Sequence, residues 1–364
     1  VRIVAKYGTS SLTEEHGEID AAAVSKAAEE LAAARSSGHE VVVVSSGAVA
    51  AGLPALGIPG EQRPRDARTL QAVSAVGQAR LVQTWASHLA EHGLVAGQVL
   101  LAPLDFMVRS QYLHARSTLE RLLELGVVPV VNENDATADD EIRFGDNDRI
   151  AALVAQLVGA DVLVLLTDTP GLMDADPRFE AGASLIEEIV EVDHQLEALA
   201  GGAGSDRGSG GMASKLAAAK MASWSGVRAV IAEAARPRVL LDAVEGTAGV
   251  GTVVRPHDRR LTARKLWIAF ALPPEGSIVV DDGAARAVAS GGRSLLAAGV
   301  VEVRGRFEVD DAVEILDRAG RVVAKGLSRV DAATLRAMAG RRSSELFAGS
   351  GEVVHADDLV VLPG

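Results

Sequence analysis

The sequence predicts an open, mostly parallel α/β sheet covered by helices, followed by a small β-rich domain. Three observations carry that expectation. Runs such as VVVV (Val41–Val44) and VLVLL (Val162–Leu166) are apolar on both faces, as strands must be when helices cover both sides of a sheet. They alternate with stretches of helical character, the order that joins parallel strands by crossovers. After RPHDRRLTARKLW the texture changes to short β-type runs separated by Gly and Asp.

Taken in order, VRIVAKYG opens with a strand, and Asp20 can then N-cap the alanine-rich helix AAAVSKAAEELAAARSSG, which Gly38 ends. EVVVVSSGA is the next strand, which completes a strand–helix–strand unit. A long helical stretch follows from about Asp66 to Glu91, then a strand at VAGQVLLA and a helix around SQYLHARSTLERLLEL, closed by Gly126. VVPVVNEND, a helix from Asp146 to Val158, and DVLVLLTD continue the pattern. In the tail, SIVVDD, VVEVRGRF, AVEILD and VVAKGLS read as strands, with helices at AARAVAS and DAATLRAMAG. The expected division is residues 1–255 for the α/β domain, 256–272 for a linker and 273–364 for the β-rich domain.

Composition narrows the class. A chain of 364 residues favours two domains, and 48% hydrophobic with 23% charged residues is ordinary for a globular protein. No apolar run reaches the ~18 residues that span a bilayer, and VRIVAKYGTS reads as strand and loop rather than signal peptide. Cysteine is absent, which removes disulfides and thiolate metal sites and fits a cytoplasmic location. The formal net charge of −13 argues against nonspecific nucleic-acid binding by the whole molecule. Residues 259–364 carry 15 Lys+Arg against 14 Asp+Glu, so the acidity belongs to the α/β domain.

In a parallel sheet, ligands gather at the carboxyl ends of strands, where helix N-termini attract anions. Four segments lie at such places: AKYGTSS (Ala5–Ser11), SSGAVAAG (Ser45–Gly52), NENDATADDEIRFGDNDR (Asn132–Arg149) and GSGGMASK (Gly208–Lys215). Each alone is compatible with a helix cap, a solvated turn or a linker; four at the same end of one sheet point to a site. Bare glycine backbone followed by a lysine suits a phosphate, which takes N–H donors and a point charge. Neither GxxxxGK[ST] nor a GxGxxG after a strand occurs, so two common nucleotide-binding folds lack their fingerprints.

AKYGTSSLT, VVSSGAVAAG, VVNENDA, EIRFGDNDRIAALVA, LLTDTPGLMDADPR and GSGGMASK together resemble the amino-acid kinase family, and within it the glutamate 5-kinases. The tail, with VVDDGAARAV, RSLLAAGV, GRF and VVHADDLVVL, resembles a PUA domain. Lys6–Thr9 reads K-x-G-T, where K-x-G-G would point to the N-acetylglutamate kinase branch. The resemblance implies an ATP- and Mg²⁺-dependent transfer of phosphate to the side-chain carboxylate of L-glutamate, the first step of proline biosynthesis. It implies catalytic roles for Lys6 and Lys215, held by Asp148, and a substrate site of Ser46, Asp135 and Asn147, supported by Asn132 and Asn134. ATP would meet Lys6, Gly8, Thr167, Asp168, Ser209, Gly210, Gly211, Met212, Ala213, Ser214 and Lys215. An ionised carboxylate is its own nucleophile, so no general base is required and no histidine has a catalytic role. The metal would be held by phosphate oxygens and water, without a protein cage.

The same resemblance implies proline as feedback inhibitor, coupling to glutamyl phosphate reductase, a homo-oligomer and no membrane. Some residues depart from the family's pattern: Ser209 and Ser214 for threonine, Met173 for tyrosine, Ala102 and His114 for Thr and Asn, and the bulky Tyr7. Two alternatives remain. One is a kinase of this fold with another carboxylate, carbamate or phosphate acceptor, against which NENDA and the PUA-like tail speak. The other is RNA binding by that tail, against which its near-neutral charge speaks.

Overall fold

The computed structural model of the chain describes residues 1–14, 18–137, 147–175, 182–201, 211–258, 260–341 and 351–362. It divides into two compact units, Val1–Arg260 and Leu261–Gly364. In the first, the chain runs β1 (Arg2–Tyr7), α1 (Ala21–Ser36), β2 (Glu40–Ser45), α2 (Ala48–Ala55), α3 (Ala67–Glu91), β3 (Ala96–Leu101), α4 (Pro103–Met107) and α5 (Arg109–Glu124). It continues β4 (Val128–Glu133), α6 (Asn147–Leu157), β5 (Val162–Thr167), β6 (Glu188–Ile189), α7 (His194–Gly201), α8 (Met212–Trp224), β7 (Arg228–Glu233), α9 (Val239–Glu245) and β8 (Thr252–Val254).

These strands form one sheet in the order β3-β4-β2-β1-β5-β7-β8-β6. Its pairs are parallel except for β7 with β8. β1 lies between β2 and β5, so the winding reverses there. A crevice opens at such a reversal, outside the carboxyl ends of the strands, and it is where open α/β sheets bind ligands.

Local chemistry starts and stops the helices as expected. The Asp20 carboxylate accepts from the N–H groups of Ala22 and Ala23 at 2.9 and 3.1 Å, and Asp66 accepts from Thr69 at 2.9 Å. Each satisfies donors that the first turn leaves free. That bond from Thr69 holds the Asp66 carboxyl below its ordinary range. α1 and α5 end at Gly38 and Gly126, whose φ values of 83° and 76° suit glycine.

Strand alternation sorts the side chains to two faces. Ile3, Ala5 and Tyr7 join Val41, Val43, Val130, Val164 and Val230 in a core closed by Leu31 of α1, Leu81, Trp85 and Leu89 of α3, and Val239 of α9. Burying each large side chain contributes about 1.5–3 kcal/mol. Lys6, between Ala5 and Tyr7, takes the other face, on which α6 packs against β1 and β5, and α8 against β5 and β7.

SSGAVAAG, expected as a loop at the start of a helix, leads into the short helix α2, which forms although Pro54 lies inside it. Its partner explains it: α2 packs directly on α3. A Cβ at Gly77 would stand 1.8 Å from the carbonyl oxygen of Ala48, and one at Gly52 would stand 2.0 Å from that of Val73. The two helices meet backbone to backbone, and only glycine permits that distance.

The second unit runs α10 (Ala263–Leu266), β9 (Gly276–Val280), α11 (Asp282–Ala289), β10 (Leu295–Leu296), β11 (Val300–Gly305), β12 (Ala312–Leu316), β13 (Val322–Leu327), α12 (Ala332–Met338), β14 (Glu352–Val354) and β15 (Leu359–Val361). A five-stranded sheet, β11-β9-β12-β13-β15, carries its own core of Ile278, Val280, Val313, Ile315 and Leu335. Residues 256–272, expected as a linker, are not extended chain throughout: α10 leads into a wider helical turn at Trp267–Ala271, with Leu266, Trp267 and Ile268 buried. The apolar run LWIAFAL is short enough to be masked by the Arg and Lys residues before it.

The α2–α3 contact generates a test. Gly77→Ala should destabilise the fold by about 1–3 kcal/mol through overpacking, read from the urea midpoint. Gly182→Ala, where an added Cβ meets nothing within 4 Å, should change it by less than about 0.5 kcal/mol.

Candidate functional site

Three charged side chains meet below the reversal of the sheet. Lys6 comes from the carboxyl end of β1, Asp148 from the first turn of α6 and Lys215 from the first turn of α8. Asp148 is fully buried, Lys6 is 2% exposed and Lys215 is 4% exposed. The Lys6 ammonium lies 2.6 Å from Asp148 Oδ1 and that of Lys215 lies 3.4 Å from Oδ2. Ser214 donates its hydroxyl to Oδ2 at 2.5 Å. Burial alone would raise the Asp148 pKa; the two ammoniums and the hydrogen bonds from Lys6 and Ser214 overcome it and hold the carboxyl below its ordinary range. Two ammoniums are thus brought together on one carboxylate in a nearly dry place.

Gly8 has φ −75°, so its backbone does not demand glycine, and an added Cβ would sit 3.5 Å from the Lys6 ammonium. The missing side chain therefore clears a position over Lys6. Gly211 N-caps α8 without a side-chain cap, and Met212, Ala213 and Ser214 form the first turn, at the end of the helix whose dipole favours negative charge. Ser209 and Gly210 lie outside the described residues. At the end of β5, the buried Thr167 donates its hydroxyl to Asp168 at 3.1 Å, and Asp168 is exposed. A cleft of ≈ 420 Å³ opens beside these two, lined also by Tyr7, Lys26 and Glu30.

A second group lies at the ends of β2 and β4. Asn147 Nδ2 donates to Ser46 Oγ at 2.9 Å, to Asn132 Oδ1 at 2.8 Å and to the Ser45 carbonyl at 3.2 Å. Gly47, at φ 110°, turns the chain from Ser46 into α2 in a conformation that favours glycine. Asn132 Nδ2 donates to Gln78 Oε1 at 2.7 Å, and Ser74 donates to Asp135 Oδ2 at 2.6 Å. The Asn134 backbone N–H donates to the Leu101 carbonyl at 2.9 Å, which ties this loop to β3. Ser46, Asn132, Asn147 and the Lys6–Asp148–Lys215 group thus share the carboxyl edge of the sheet.

The departures fall unevenly. Ser214 keeps the hydroxyl that bonds Asp148. Tyr7 packs against Trp85, ring centroids 5.4 Å apart, and burial followed by the Glu30 carboxylate pushes its hydroxyl pKa up. His114 is exposed on α5. Met173 bridges to Leu185, and the Ala102 N–H donates to Asp105 at 2.7 Å.

Comparison with known proteins now bears on this arrangement. The model of the amino acid kinase family matches residues 1–233, and that of the PUA domain matches residues 276–348. The chain belongs to the amino acid kinase family. It is 45% identical over 365 residues to a glutamate 5-kinase of Methylibium petroleiphilum, covering 99% of this chain and 97% of the relative. A glutamate 5-kinase of Nocardia farcinica is 46% identical over 98% of this chain and 96% of its own length. One of Myxococcus xanthus is 46% identical over 99% and 96%.

Two residues in contact with this group were not singled out from the sequence: Ser74 and Gln78. Both lie on α3, in AVSAVGQAR, where small and polar residues within a helix look like an exposed stripe. Their spacing of four, which puts them on one helical face, was the available signal. Among the described residues, no helix is long and apolar enough to cross a membrane.

The buried charges generate a test with a sign. Asp148→Asn leaves two buried ammoniums without their carboxylate and should cost about 3–5 kcal/mol of stability, whereas Lys215→Met leaves the Lys6–Asp148 pair and should cost much less. A carboxyl whose pKa is lowered in the folded state stabilises above its unfolded value. The difference between wild type and Asp148→Asn should therefore hold through neutral pH and shrink only as pH falls below about 4. Chemical unfolding at several pH values measures it.

Proposed function

We propose that this chain transfers the γ-phosphoryl group of ATP to the side-chain carboxylate of L-glutamate, forming glutamyl 5-phosphate. The observation that carries the reading is the pair of buried lysines on one carboxylate at the sheet's reversal, beside a group of amides, a hydroxyl and a carboxylate suited to a free amino acid. Curated relatives named glutamate 5-kinase, at about 45% identity over nearly the whole chain, support the choice of acceptor.

In this mechanism Asp135 pairs with the substrate ammonium, while Ser46 and the amides of Asn147, Asn132 and Asn134 serve its polar groups or hold those that do. The side-chain carboxylate, already ionised at pH 7, points at the phosphorus. One of its oxygens forms the new P–O bond as the bond from phosphorus to the β–γ bridging oxygen breaks and ADP leaves. No proton moves. Lys6 and Lys215 compensate charge on the transferring and leaving oxygens, and Asp148 sets their positions. Gly8, Thr167, Asp168 and the segment from Ser209 to Ser214 receive the nucleotide. Mg²⁺ bound with the nucleotide would supply further charge compensation on the phosphates.

The product is an acyl phosphate, a reactive anhydride, which favours consumption by a reductase close at hand. Every residue given a role lies in the first unit, so we assign the PUA domain a modulating part. Proline carries the ammonium and α-carboxylate of glutamate without its side-chain carboxylate. We therefore place its inhibition at the amino-acid end of the site.

ADP release with glutamate, aspartate, N-acetylglutamate, carbamate or UMP as sole acceptor tests the assignment. Glutamate should be the fastest by far; a preference for N-acetylglutamate, which lacks the ammonium, would sink it. Lys6→Ala and Lys215→Ala should each reduce kcat about 100-fold or more, with smaller effects on glutamate KM. Proline should raise the apparent KM for glutamate without lowering the limiting rate, and Asp135→Asn should lose sensitivity to it. Inhibition indifferent to glutamate concentration would place proline elsewhere.

A further inference from the structure

Two buried polar atoms in the amide group have no hydrogen-bond partner among the described residues: Gln78 Nε2 and Asn147 Oδ1. Backbone groups decide which atom of each amide faces outward. Asn147 Nδ2 meets the carbonyl of Ser45, which can only accept, and Asn132 Oδ1 meets the N–H of Glu133 at 2.9 Å, which can only donate. With Asn132 so held, its Nδ2 faces Gln78 and requires an acceptor, and Gln78 presents Oε1 to it. Reversing any one of the three amides would set N–H against N–H or oxygen against oxygen. The chain of amides therefore ends in a donor at Gln78 and an acceptor at Asn147.

Gln78 is 7% exposed, and a buried donor left unpaired is costly unless something arrives to accept from it. Ser74, one turn earlier on the same face of α3, bonds Asp135, so the helix addresses two side chains to this end of the site. Asn132, which Gln78 touches, lies at the carboxyl end of β4 one residue before Glu133, and β2 separates β4 from β1. Two strand spacings, on the order of 10 Å, lie between β4 and the strand that carries Lys6. A ligand group that satisfies Gln78 belongs to the end of the acceptor remote from phosphoryl transfer.

We propose that Gln78 is a binding residue of the acceptor site, with Nε2 donating to the α-carboxylate of the bound amino acid while Asn147 Oδ1 and Asp135 accept from its ammonium. This rests on the glutamate reading above. An α-amino acid carries an anion and a cation on one carbon; the donor and acceptor left open here belong to two residues that the single amide of Asn132 joins. Gln78 then discriminates for a free α-carboxylate, a feature that the lysines at the other end cannot sense.

The test compares L-glutamate with isoglutamine, its α-carboxamide, which keeps the reacting side-chain carboxylate. Wild type should prefer glutamate. Gln78→Glu, which replaces the donor by a negative charge, should raise glutamate KM by about tenfold or more, the loss falling on KM rather than kcat and ATP KM staying within about twofold. The preference for glutamate over isoglutamine should fall by a similar factor, because isoglutamine presents no charge for the new carboxylate to repel. Gln78→Met should also erode the preference, less steeply, and it decides the matter if Gln78→Glu does not fold. An unchanged preference in the folded variants overturns the assignment, as does a wild-type enzyme that takes both compounds equally well. A protein that phosphorylates neither compound refutes the glutamate reading; one that phosphorylates glutamate with its preference intact in both variants refutes only the role of Gln78.

Discussion

The arrangement depends on one buried carboxylate that holds two lysines together. Without Asp148, the ammoniums of Lys6 and Lys215 would repel each other in a region where water cannot screen them. With it, β1, α6 and α8 are pinned at a common point by contacts of 2.6 and 3.4 Å and by the hydroxyl of Ser214. Replacing a buried charged group by apolar side chains is often neutral or stabilising, so keeping one here points to use rather than to stability. On the proposed reading, two ammoniums held at one point compensate the charge of the transferred phosphate.

Sheet order turns this local device into a linear site. Read across the carboxyl edge, β4 carries Asn132 one residue before its end, β2 is followed by Ser46, β1 carries Lys6 and β5 ends in Thr167. These four strands are neighbours in space, although β4 enters the chain after β2 and β3 have been made. On the proposed reading, the amino acid occupies the β4–β2 end, the phosphoryl group passes over β1 and the nucleotide lies toward β5. The direction of the reaction thus follows the hydrogen-bonded order of the strands, and the reversal at β1 is where the two substrates meet.

Much of this was legible in the sequence because it is local. Asp20, Asp66, Gly38 and Gly126 act on backbone groups within a few residues of themselves, and doubly apolar runs report burial on both faces wherever the strand is placed. The residues at strand ends were legible for the same reason: the polar NEND following an apolar strand marks the point where the chain leaves the core. What remained hidden depends on distance through space. Ser74 and Gln78 look like surface residues until α3 brings them to Asp135 and Asn132, and the approach of α2 to α3 at Gly52 and Gly77 shows only once the two backbones meet. The turn at Trp267–Ala271 falls within the stretch 256–272 assigned as linker from the change of texture after RPHDRRLTARKLW, and the short apolar run in it carries no pattern of its own. The order β3-β4-β2-β1-β5 is likewise a property of pairing, for which no single segment carries the signal.

Asn147 and Asp148 show how the two halves of the site are held in register. They are consecutive residues in the first turn of α6, yet Asn147 reaches Ser46 and Asn132 while Asp148 reaches Lys6, Lys215 and Ser214. Successive side chains on a helix diverge by about 100°, so one turn serves two directions without a flexible joint between them. The helix carrying that turn is rigidly seated: Ile150, Ala151, Leu153 and Val154 are fully buried. On the proposed reading, any shift of α6 would move the amino-acid contacts and the lysine-holding carboxylate together, preserving their spacing. For a transfer whose rate depends on the approach of a carboxylate oxygen to phosphorus, a fixed spacing between the two holding groups matters more than the strength of either. The adjacency of an amide and a carboxylate in the sequence is thereby a geometric statement about the reaction.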